Sequence, residues 1–228
     1  MTIMHITFLQ LHTNNLPALH TFYAALGFHV TAHESYIDIA IGSTLLRFQD
    51  DDTPLTGGYH FAINVAVNDI AIVRDWLSTH TAIIQSNQGA TIFEFDEWHA
   101  QAIYCYDPDN NIVEFILRRD IVTNPHASFR VDQSLCISEI GLACTDVPTT
   151  ITQFRNSFAI SDFFSHNDEF WPIGDNHGLF IMVRTPRLWY PDTPIPAALL
   201  PVTVKFHTAP DQHWQLDGYP YRITSSVD

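Results

Sequence analysis

The chain has 228 residues, 46% of them hydrophobic and 15% charged, which is enough apolar material for one large domain or two small ones. Lys and Arg total 10 against 25 Asp and Glu, and the formal charge of −15 argues against nucleic acid and anionic membranes as partners. No run of about 18 apolar residues occurs and MTIMHITFLQLHTNN carries no basic leader, so no membrane span or signal peptide is expected and the chain reads as cytoplasmic.

The first predicted strand is HITFLQLHT (5–13), followed by a helix over 15–26 with Leu16, Leu19, Phe22, Tyr23 and Leu26 at helical spacing and Gly27 as its stop. Three short strands follow at 28–33, 36–41 and 44–49, and DDDTPLTGG (50–58) reads as a solvated loop. The pattern then restarts. A strand at 59–67 leads into a helix at 69–80, with Ile70, Val73, Trp76 and Leu77 on one side. Strands at 100–106 and 111–119 are joined by the turn-forming DPDNN.

Residues 121–134 are polar, contain a proline and read as a linker. A third start follows, with a strand at 135–145, a helix at 146–158, and strands in DFFSH, EFWPIGD and GLFIMVR. TPRLWYPDTPIPAALLP is proline-rich and predicts an ordered loop, after which VTVKFHT and YPYRITS add closing strands. The result is an internal repeat of one supersecondary unit: two copies, then a third with a modified tail. Cys105, Cys136 and Cys144 form no CxxC pair and are expected to be buried free thiols.

The strand leading into NNLPALHTFYAALGF, the second opening YHFAINV and the ending DPDNNIVEF resemble the vicinal oxygen chelate superfamily. That superfamily includes glyoxalases, extradiol dioxygenases and bleomycin-resistance proteins. Asn110 stands where the family usually has glycine, and asparagine tolerates the left-handed conformation the turn needs. The resemblance implies an α+β fold of tandem βαβββ modules whose sheets curl round a cup. The expected organisation is a domain over 1–120 made of modules 1–50 and 59–120, with the cup between them, then the linker and a third βαβββ-like module over 135–228. Unpaired modules of this fold expose a sheet edge, so the third module is the candidate surface for a homodimer.

The family holds a divalent metal through side chains near the start of each module's first strand and on its last strand. Carried onto this sequence, those positions are Phe8 and Arg47 in the first module, His60 and Glu114 in the second, and Glu139 and Ile181 in the third. Strand parity supports the middle pair independently. His60, Ala62 and Asn64 share one face of a strand whose other face is apolar, and Glu114 lies opposite the apolar face of Val113, Phe115 and Leu117. A histidine with a carboxylate suits Fe, Mn, Zn or Ni. Phe8 stands where a second histidine would be, with Gln10 and His12 on the same face as substitutes if the strand is shifted.

Two readings therefore stay open. In one, His60 and Glu114 bind a metal, Glu114 moves a proton, and a small organic molecule is processed as by a glyoxalase or dioxygenase. In the other, Arg47 pairs with Glu114 and the cup is a metal-free binding pocket of the bleomycin-resistance type. In both, Phe8, His12, Arg47, Asn64, Trp98 and Tyr104 are candidate substrate contacts. Trp171, Trp189 and Tyr190 are expected to pack the third module or an interface.

Overall fold

The computed structural model describes residues 3–122, 125–208, 211–215 and 218–227. In chain order the elements are β1 (His5–Thr13), α1 (Leu16–Ala25), β2 (His29–Ala32), β3 (Tyr36–Ile41), β4 (Thr44–Asp50), β5 (His60–Val65), α2 (Ile70–Ser78), β6 (Phe93–Phe95), β7 (Ala100–Tyr106) and β8 (Ile112–Arg118). They continue as β9 (Ser134–Cys144), α3 (Val147–Ser157), β10 (Phe170–Asp175), β11 (Gly178–Arg184), β12 (Val202–His207), β13 (Gln212–Trp214) and β14 (Tyr221–Ser226).

The local signals set the ends of these elements. Asp69 and Asp146 cap α2 and α3, accepting from the backbone N–H of Ala71 at 2.9 Å and of Thr149 at 3.1 Å. Asn110 takes φ 61°, so the DPDNN turn keeps its left-handed residue without glycine. In DFFSH the left-handed φ of 56° at Phe164 breaks the extended run, leaving one isolated bridge between Asp162 and Ile173 where a strand was expected. The segment from β9 to β11 is consequently β-α-β-β. β6 and β13, three residues each, are too short to register as periodic patterns.

Each βαβββ unit fills half of a sheet. Two seven-stranded mixed sheets result: a terminal sheet ordered β13-β14-β12-β1-β4-β3-β2 and a central sheet ordered β10-β11-β9-β5-β8-β7-β6. This corrects one expectation. Modules 1–50 and 59–120 share no sheet, so no cup forms between them. β1 instead pairs with β12, placing His5 opposite His207, while β5 pairs with β9. The closing strands expected to finish the third module belong to the terminal sheet. The half-cup that suggested an association surface is completed within the chain, where β9 is hydrogen-bonded on both sides, by β5 and β11.

The main core merges one face of each sheet with the buried faces of the three helices, such as Tyr23, Leu77 and Phe154. A smaller apolar cluster lies on the opposite face of the central sheet and includes Ala62, Tyr104, Ile116, Ile181 and Trp189. Strand alternation separates the two: Phe61 and Ile63 face the main core, and Ala62 faces the cup. All three cysteines are buried and free. No helix among the described residues is long and apolar enough to cross a membrane.

Candidate metal centre and cavity

The centre is set by strand register. On β5, Ala62 lies opposite Glu114 of β8 on one side and Glu139 of β9 on the other. The two carboxylates thus flank β5 at one level, and alanine leaves the space between them free. His60 projects from the same face one pleat away. Its Nε2 lies 2.9 Å from Oε2 of Glu114, and all three side chains are buried. Tyr104, opposite Glu114 on β7, stands on the far side of that carboxylate.

Arg118, two pleats beyond Glu114 on β8, is ion-paired to Glu139 and completely buried. Its guanidinium carbon lies 5.6 Å from the ring centroids of both Trp98 and Phe163. Nη1 also reaches Oδ1 of Asn176 at 3.4 Å. A buried cluster therefore carries two carboxylates against one guanidinium, and His60 decides the balance. Burial is the largest influence on His60 and opposes its charge. The Glu114 hydrogen bond and the charges of Glu114 and Glu139 outweigh that effect and raise its pKa. Burial, followed by the charge of Glu114, pushes the Glu139 carboxyl up to about 7, against the opposing pull of Arg118 and His60. Burial and the same two carboxylates hold the Tyr104 phenol protonated.

One donor atom from each of His60, Glu114 and Glu139 lies within 4.8 Å of the others. A divalent ion bound at about 2.0–2.2 Å asks for neighbouring donors about 3 Å apart, within reach of side-chain adjustment here. The mixed nitrogen–oxygen donor set also suits such an ion. The set is one histidine and two carboxylates, not two histidines and one carboxylate. The fourth position is Ile181, opposite Gly141.

Above the centre lies a cavity of about 210 Å³ whose floor includes His60, Glu114 and Glu139. One wall is a run of nearly parallel rings: Phe95 and Trp98 stack at 5.6 Å and 23°, and Trp98 and Phe170 at 6.5 Å and 19°. The proline-rich loop after β11 supplies the roof. Its Trp189 stacks on His60 at 5.4 Å and 29° and donates from Nε1 to the Gly58 carbonyl at 2.9 Å. Gly141 makes room for that ring, since a Cβ there would lie 2.3 Å from Trp189. Tyr190 continues the roof edge-on to Tyr104.

Of the candidates from sequence, His60, Glu114, Trp98 and Tyr104 meet in this cavity. Asn64 shares the face of His60 but is engaged elsewhere. It accepts from the Ser138 hydroxyl at 2.8 Å and donates to the Asn176 carbonyl at 3.0 Å. Phe8, His12 and Arg47 are in the terminal sheet and do not reach the centre. Arg47 forms two 2.8 Å hydrogen bonds to Asp38 and lies 3.8 Å from the Tyr36 centroid, so the proposed Arg47–Glu114 pair does not exist. Phe8 lies beneath Arg47 and Lys205, and His12 is bonded to Asp51 at 2.8 Å.

Trp189 and Tyr190 are cavity residues, where the sequence suggested packing alone. The sequence placed Glu139 at a ligand position but in a separate third module. Knowing that β9 pairs with β5 was the missing step.

Two seven-stranded mixed sheets, one cupped over a buried histidine and two carboxylates, form a fold shared with solved structures. Among solved structures, the whole chain matches 86% of a Bacillus subtilis protein provisionally described as a dioxygenase, with a TM-score of 0.62 and 12% identity. A Zea mays glyoxalase I variant matches over 98% of this chain and 92% of its own, with a TM-score of 0.55 and 12% identity. At that identity the likeness is one of fold. No family model matches the sequence, and no curated protein does.

Proposed function

We propose that this chain is a metal-dependent enzyme of the glyoxalase or dioxygenase type, acting on a small organic molecule in the cup of the central sheet. The carrying observation is the convergence of His60, Glu114 and Glu139, buried and within 4.8 Å, on the floor of an aromatic-walled cavity. Perturbed, buried titratable groups in an aromatic-lined cleft are the physical signature of a candidate functional site. The fold likeness to a dioxygenase-described protein and a glyoxalase I supports the reaction class.

His60, Glu114 and Glu139 would hold the ion, and a bound divalent ion would supply Lewis-acid polarisation of substrate oxygens. The protein's own parts have separable tasks. Trp189 covers His60 and keeps bulk water from it. The ring wall of Phe95, Trp98 and Phe170 orients a flat substrate edge-down toward the floor. Arg118 restrains the Glu139 carboxylate through a fixed ion pair. Glu114 lines the cavity floor and would accept a proton from a substrate atom bound within hydrogen-bond reach of it.

The test is metal analysis of protein prepared with Mn(II), Fe(II), Zn(II) or Ni(II) in turn, then freed of excess ion. About one equivalent in the wild type, lost in His60→Ala and in Glu114→Gln, is the expected result. Failure to retain any of the four ions would refute the metal reading and leave a metal-free binding pocket.

A further inference from the structure

The floor of the cavity accounts for one end of a substrate, and its rim carries a second signal. Six of the chain's arginines are engaged by carboxylates: Arg47, Arg74, Arg118, Arg130, Arg155 and Arg184. Among the described residues Arg187 has no such partner, although acidic residues outnumber basic ones 25 to 10 and Arg184 nearby lies 3.8 Å from Glu169. Arg187 lines the cavity, and its exposed guanidinium lies 5.0 Å from the centroid of Phe170, the last ring of the stacked wall. Its backbone is fixed on both sides. The N–H donates to the Arg184 carbonyl at 2.9 Å, and its carbonyl accepts from Ala197 at 2.8 Å.

A flat apolar wall thus runs from a carboxylate-bearing floor to a guanidinium with no ion-pair partner among the described residues. We propose that Arg187 makes the cavity selective for single-ring aromatic carboxylates, bound with the ring along Trp98 and Phe170, the carboxylate at Arg187 and the oxygenated edge at the floor. The inference rests on the metal-centre reading for the role of that edge, but not for the role of Arg187.

Charge and size narrow the class. A cationic ligand would meet Arg187 at the rim. A monocarboxylate places one charge at the rim and a neutral ring below it. At about 210 Å³ the cavity is smaller than the roughly 300–1,000 Å³ usual for drug-sized ligands, which limits the occupant to one ring with short substituents.

The experiment compares two probes that share a ring and vicinal hydroxyls, 3,4-dihydroxybenzoate and catechol. Calorimetric affinities are measured for the full chain with EDTA and with Mn(II), in the wild type, Arg187→Leu and Arg187→Lys. The wild type is expected to favour the carboxylate by about tenfold or more, the scale of a charge-assisted hydrogen bond. That ratio should shrink at 0.5 M salt, because the cation is exposed. Arg187→Leu should bring the ratio to about one, with Arg187→Lys intermediate.

No wild-type preference, a preference undiminished in Arg187→Leu, or binding of neither probe at millimolar concentration would each overturn the proposal. Mn(II) is an independent axis. An intact ratio with no Mn(II) effect on either probe would fail the metal reading and leave this inference standing.

Discussion

Arg118→Met tests the electrostatics of the centre directly. Arg118 is fully buried and Glu139 is 2% exposed, so the substitution leaves a carboxylate in the interior beside Glu114 with no guanidinium. Removing one partner of a buried pair typically costs about 3–5 kcal/mol. At an m-value of about 2–3 kcal/mol/M in urea, the midpoint should fall by roughly 1–2.5 M.

The sign with pH follows from the same geometry. In the folded wild type the Glu139 carboxyl is already raised to about 7, chiefly by burial. A carboxyl raised on folding stabilises the protein fully below its unfolded value, near 4.3, and that contribution is lost as pH climbs through the folded value. Without Arg118 the folded value moves higher, so the loss continues where the wild type has levelled off. The destabilisation should therefore be larger at pH 8 than at pH 5, measured by urea unfolding in EDTA. Arg118→Met/Glu139→Leu should recover most of the loss and flatten the pH dependence, since an apolar replacement of both partners leaves no orphan charge. An equal loss at the two pH values, or a double variant less stable than the single one, would refute the reasoning.

Other expectations follow from the same contacts. Mn(II) at about 100 times its dissociation constant should add about 2.7 kcal/mol to wild-type stability, and His60→Ala should abolish the gain in thermal denaturation. Gly141→Ala drives a Cβ to 2.3 Å from the Trp189 ring and should cost about 1–3 kcal/mol while altering tryptophan emission; unchanged emission and stability would contradict the packing. Arg47→Leu removes a partly exposed pair with Asp38 in the other sheet, so it should cost within about 1 kcal/mol and leave Mn(II) stoichiometry at its wild-type value by metal analysis.

The parts of this architecture legible in sequence are those with local causes. Parity put His60 and Glu114 each on the less apolar face of its own strand, the family resemblance joined them at one centre, and Asp69, Asp146 and Gly27 stand at helix ends. Trp98 and Tyr104 were recognisable because both sit on or beside the strand next to Glu114. The pairing of units was not legible. A βαβββ unit buries its helix-facing side in the same way against either neighbour, so nothing in residues 1–50 announces that β1 will bond to β12 and not lie beside β5. The errors over Phe8, His12 and Arg47 all come from that single assumption. Arg118 escaped notice for another reason: in FILRRD it reads as the charged end of a strand, and only the fold brings Glu139 to it.

The nesting of the two sheets bears on how the chain is made. The central sheet is contributed by a continuous stretch, from β5 to β11, and is available to close early during synthesis. The terminal sheet must wait, because β1 pairs with β12 only after that stretch has emerged. Until then β1 presents an unpaired edge and an uncovered apolar face, the kind of surface on which nascent chains aggregate or recruit chaperones. Partners so distant along the chain also make for slow closure. The half of the molecule that carries the His60–Glu114–Glu139 cluster is therefore the half able to mature first, and the half without it governs how long the newborn protein stays vulnerable.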